Sequence, residues 1–150
     1  MEHVARTQTD IARRLLRWSL PSIIVGGVGL VLPWPVVQGF ALQALIWGGV
    51  DAVIATVGAW GARRRRGRYP DEVQEVRDTL RLRRVLVING WLDLLYLAGG
   101  AAITVLFRTD PFLLGNGVGI LVQALFLLFF DILHARRLPA QPPAWYSAQP

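Results

Sequence analysis

The chain has 150 residues, and neither cysteine nor lysine is among them. Without cysteine there are no disulfides, no thiol catalysis and no cysteine-ligated metal. Without lysine there is no Schiff-base chemistry and no lysine-linked retinal or pyridoxal cofactor. Histidine occurs only at His3 and His134, too sparse for any His/Glu metal spacing. A Gly-x-Ser-x-Gly turn and a phosphate-binding loop are missing too. The expectation is therefore a protein with no catalytic residue, no bound metal and no cofactor, and so not an enzyme. Charge is also scarce over long stretches, and that scarcity is the most informative one.

Hydrophobic residues make up 53% of the chain, a share high for a soluble domain of this length. A helix needs about 20 mostly apolar residues to cross a bilayer. Four stretches qualify: residues 15–37, 39–61, 85–107 and 112–133. The first has Pro21 near its start, and Pro33 and Pro35 flank Trp34 at its end, so its helix is expected to stop near Leu32. Bulky "VLPWPVVQ" follows it where a signal peptide would have small residues, so it is read as a retained helix. The predicted fold is all-α: a polytopic membrane protein with four transmembrane helices in one bundle. That domain covers residues 1–137, with a loop at 62–84 and a proline-rich, disordered tail at 138–150.

All sixteen basic residues are arginines, and fifteen fall on one side of these spans. They precede the first span, fill the middle loop, and follow the fourth span as Arg136 and Arg137. Arg108 alone lies on the other side. The positive-inside rule then places both termini and the middle loop in the cytoplasm of a cell whose inner (plasma) membrane holds the protein. The net charge of +6 is thus a topology signal, and nucleic acid is not an expected partner. Trp18, Trp34 and Trp60 stand near span ends, as an aromatic belt does. Arg63, Arg64, Arg65 and Arg66 form a cluster suited to anionic lipid headgroups. Beyond them, "PDEVQEVRDTLRLRR" has helical spacing and is expected to be a surface helix or a cytoplasmic extension of the third span.

Spans two, three and four each carry one charge, and each is an aspartate: Asp51, Asp93 and Asp131. At about 100° per residue, Asn89, Asp93 and Tyr96 share a face of the third span, as Trp47 and Asp51 do on the second. Asn116, Gln123, Asp131 and His134 share a face of the fourth. At about 1.5 Å per residue, Asp51, Asp93 and Gln123 lie near one level, roughly 13–15 Å in. A carboxylate there costs about 2.5–3.5 kcal/mol on insertion scales, and no arginine at that depth offsets it. A neutral or proton-sharing cluster is expected, partnered by Asn89, Gln123, Trp47 or Tyr96. The competing reading is that these groups only hold helices together by hydrogen bonds. His134, beside Arg136, is read as an interfacial side chain. "QALIWGGVD" and "QALFLLFFD" suggest two repeated helical hairpins.

"WGGVDAVIA", "NGWLDLLYLAGG" and "GNGVGILVQALFLLFFDILHA" resemble an uncharacterised prokaryotic family of small four-helix integral membrane proteins. The resemblance covers residues 38–135. It implies the four-helix membrane fold and marks Trp47, Asp51, Asn89, Asp93, Tyr96, Asn116, Gln123 and Asp131 as the family's positions. It implies no activity. Two functions are expected as alternatives. One is a mid-membrane polar site for a proton, a cation or a small polar ligand. The other is a structural or assembly subunit that packs with itself or with a larger membrane complex.

Overall fold

The computed structural model describes residues 3–65 and 72–147. The described residues form α1 (His3–Leu30), α2 (Pro35–Arg65), α3 (Glu72–Leu106), α4 (Pro111–Arg136) and one short turn of helix, α5 (Ala144–Ser147). No strand occurs among them. Three helices, α2, α3 and α4, are long and apolar enough to cross a membrane.

α1 is not among those three, for a reason visible in its composition. Its first half carries Arg6, Asp10, Arg13, Arg14 and Arg17, and only residues 18–30 are free of charge. The basic segment expected to precede the first span is itself helical. It ends earlier than expected, at Leu30, and the stretch 15–37 therefore crosses a helix break. Pro21 is tolerated inside α1, where the Ser19 and Ser22 hydroxyls donate to the carbonyls of Leu16 and Trp18.

The helix ends follow from local chemistry. Pro35 opens α2, where its missing N–H costs nothing. Gln38 reaches back and donates to the Leu32 carbonyl at 2.8 Å, closing the turn after α1. Glu72 and Glu75 sit in the first turn of α3, on the favourable side of its dipole. Asp110 caps α4 by accepting from the Leu113 N–H at 3.0 Å, with Pro111 next. The segment read as a cytoplasmic loop, 62–84, is mostly helix: α2 continues to Arg65 and α3 starts at Glu72. It is an extension of the third span rather than a separate surface helix. Leu138, the first residue of the expected disordered tail, is buried against Leu86 and Ala135.

Packing runs along seams of small residues. On α1 the buried positions are Thr9, Ala12, Leu15, Ser19, Ser22, Gly26 and Gly29; on α2 they include Ala41, Ala44, Gly48, Asp51 and Ala55. Spacings of three and four alternate, which is the seam of a left-handed helix pair. α1 and α2 form one antiparallel hairpin, and α3 and α4 a second. The hairpins join through α2 and α4, which run parallel. A side chain at Gly39 would overlap the Phe112 carbonyl, one at Gly115 the Val36 carbonyl, and one at Gly119 the Gln43 side chain. Gly100 and Gly117 bring α3 and α4 together in the same way. No close helix-to-helix packing joins α2 and α3.

The burial pattern is the reverse of a water-soluble domain's. Ser19, Asp51, Asp93, Gln123 and Asp131 are inside, whereas Ile24, Leu95 and Phe129 are 64%, 69% and 67% exposed.

Candidate functional site

Six of the eight positions singled out in the sequence line one cleft: Trp47, Asp51, Asn89, Asp93, Tyr96 and Asp131. The cleft has a volume of about 630 Å³ and lies between α2 and α3, with α4 and the first half of α1 behind it. Its side is open. Val50, Ile54 and Val57 of α2 and Val85 and Leu92 of α3 line it and are still exposed. Trp47 and Tyr96 close the end nearer the α1–α2 turn, edge to face, with ring centroids 4.9 Å apart.

Each acid arrives by the helical seam it belongs to. Asp51 stands between Gly48 and Ala55 on the packing face of α2, and Asp93 follows Gly90 on that of α3. Asp131 stands beside Phe130 on α4. The three are 2%, 4% and 6% exposed. Asp51 Oδ2 and Asp93 Oδ2 are fully buried and have no hydrogen-bond partner among the described residues. Asp131 lies within electrostatic reach of both. No described arginine or histidine lines the cleft. The three carboxylates share the space without converging on a point: no group of three or more metal-binding side chains among the described residues could hold an ion.

The structure corrects the expected partners. Asn89 lines the cleft but is exposed, so it is not a buried donor to the acids. Gln123 sits outside the cleft and accepts from the Trp18 indole N–H at 2.9 Å. Asp131 and Gln123 are eight residues apart, which rotates them by roughly 80° at 100° per residue. One therefore faces α3 while the other faces α1. Asn116 is also elsewhere: it accepts from the Gln43 amide at 2.7 Å and donates to the Phe112 carbonyl. The two glutamines of the sequence repeat thus do different work.

Two residues were misjudged from the sequence. Trp18 is half-buried and turned toward α4. It stacks on Phe126, centroids 3.9 Å apart, and holds Gln123. His134 is not interfacial but 5% exposed. Its Nδ1 faces the Phe130 carbonyl at 2.7 Å; a carbonyl only accepts, so Nδ1 donates. Its Nε2 is left buried without a partner among the described residues. The signal for this bond was the four-residue step from Phe130, which any helix brings within reach.

Of the arginine cluster, Arg63 and Arg64 are exposed, and the Arg64 guanidinium lies 3.7 Å over the Trp60 ring. Arg65 ends α2, and Arg66 lies outside the described residues.

No curated protein and no solved structure matches this chain. A family model does, over residues 14–132, a stretch that takes in the three acids and most of the cleft's lining: the chain belongs to a family of unknown function, DUF6992.

Proposed function

We propose that this chain is a multi-pass protein of the cell's inner (plasma) membrane whose cleft holds a proton, a cation or a small polar ligand near mid-membrane. The observation that carries this reading is that Asp51 and Asp93 line a cleft with no described arginine, and that each has a buried carboxylate oxygen without a partner among the described residues. In low dielectric a carboxylate needs a compensating positive charge. A bound cation, the proton being the smallest, supplies it. The inverted burial pattern supports the membrane location, and the arginine asymmetry supports cytoplasmic termini. Arg63, Arg64, Arg65 and Arg66 then contact anionic lipid headgroups. The role is binding rather than catalysis.

Carbodiimide chemistry tests the site. The protein in lipid nanodiscs is treated with dicyclohexylcarbodiimide, which enters membranes and modifies accessible carboxyl groups, and the peptides are weighed. An adduct at Asp51 or Asp93, lost on Asp51→Asn or Asp93→Asn, is the expected result. No adduct at either acid refutes the site.

A structural or assembly role is the second reading, supported by Gly27, Gly49 and Gly99. Nothing packs where their side chains would be, so a further helix can approach these faces closely.

A further inference from the structure

We propose that the cleft between α2 and α3 binds a lipophilic organic cation, admitted sideways from the bilayer. This rests on the cation-site reading above and gives the occupant a chemical class.

Size comes first. About 630 Å³ falls in the range of about 300–1,000 Å³ typical of small-molecule sites. A bare proton or metal ion leaves nearly all of that space unfilled. Charge comes next. Three carboxylates from three helices face the space, and the described residues that line it include no basic group. Asp51 and Asp93 are 2% and 4% exposed, and each has a buried Oδ2 with no partner among the described residues, an uncompensated acid at the cleft wall. The acids do not gather into a metal-ligand set. Acids that do not converge on one point suit a positive charge spread over a large group better than a point ion. The walls supply the rest: Val50, Ile54 and Leu92 are apolar. Trp47 and Tyr96 add aromatic rings at the end nearer the α1–α2 turn, where a cation is attracted to a ring face.

Entry follows from the fold. α2 and α3 are not packed together, and the wall residues Ile54 and Val57 stay exposed along the gap. In a bilayer that gap faces acyl chains. A ligand reaching it from the lipid must itself be lipophilic, which excludes a strongly hydrated ammonium or metal ion by this route.

The test is equilibrium binding of radiolabelled tetraphenylphosphonium to the full-length protein in nanodiscs of zwitterionic lipid. Saturable binding is expected, with no competition from neutral triphenylphosphine oxide. The Asp51→Asn, Asp93→Asn double variant should weaken it about tenfold or more. Gly58→Phe should also weaken it about tenfold or more by narrowing the cleft. Gly58 lines the cleft, and a side chain added there meets open space, so Tm should not change. Bound tetraphenylphosphonium should also protect Asp51 and Asp93 from carbodiimide. If the acids are modified but tetraphenylphosphonium neither binds nor protects, this inference falls while the cation site stands. If neither modification nor binding occurs, both fall. Equal competition by the neutral analogue, or binding unchanged by Gly58→Phe, overturns recognition in this cleft.

Discussion

The half of the bundle at the α1–α2 and α3–α4 turns and the half at the chain's two ends, outer and inner on the topology proposed above, are built from the same helices by opposite means. Towards the outer end, Gly39, Gly115 and Gly119 let α2 and α4 approach until a single methyl group would collide. Gly100 and Gly117 do the same for α3 and α4. Towards the inner end, α2 and α3 part, and three aspartates face the space between them. Without a hydrophobic driving force in lipid, helices associate through close packing and hydrogen bonds. The outer half has both. The inner half gives up contact between α2 and α3 and retains buried acids, a combination that costs stability and is kept where a site needs it.

The comparison can be broken most severely at Gly115. Gly115→Leu drives a side chain into the Val36 carbonyl, backbone that cannot step aside. A loss of about 3 kcal/mol or more is expected, read as failure to purify a folded bundle. Should Gly115→Leu melt with the parent, the outer half is not the clamp.

A subtler test uses Gln123. Gln123→Leu leaves the Trp18 indole N–H without its acceptor inside the bundle. A cost of about 1 kcal/mol is expected, within the range for interhelical hydrogen bonds in membranes. Thermal melting monitored by tryptophan fluorescence reads both the loss and the change at Trp18. No shift in either would mean that the bond is not made.

The smallest effect on stability is expected where the functional effect is largest. Asp51→Leu removes a buried oxygen that has no partner, so nothing is left unsatisfied. Stability should change by less than about 1 kcal/mol, or rise, while carbodiimide modification at position 51 disappears. Strong destabilisation would mean that the acid is a packing element, and the contrast between the halves would lose its meaning.

Much of this contrast is written in the sequence, and the reasons for the rest are physical. Long charge-free runs ended by proline and arginine mark α2, α3 and α4, because lipid tolerates few charges and a helix satisfies its own backbone. Three aspartates, one per run, mark a polar interior. The grouping of Asp51, Asp93 and Asp131, rather than Asp51, Asp93 and Gln123, depends on the rotation of α4 against its neighbours, which depth alone does not fix. Trp18 stands beside basic residues and so imitates a belt residue; only the nearness of Phe126 reveals its place. The gap between α2 and α3 belongs to no single helix. It results from how two hairpins lean together mainly through α2 and α4, with Trp18 of α1 on Gln123 and Phe126 of α4.

The uneven make-up of α1 bears on how the chain enters a bilayer. Residues 18–30 alone are too short to span it: at about 1.5 Å per residue they cover about 20 Å of a hydrocarbon core about 30 Å thick. By itself α1 is a weak insertion signal. Zipped to α2 along the seam from Ala12 to Gly29, it gains a partner whose one charge before Arg63 is Asp51. On the membrane location and topology proposed above, the unit recognised during synthesis would be the hairpin rather than the helix. The first four arginines would remain in the cytoplasm while both helices wait to be released together into the lipid.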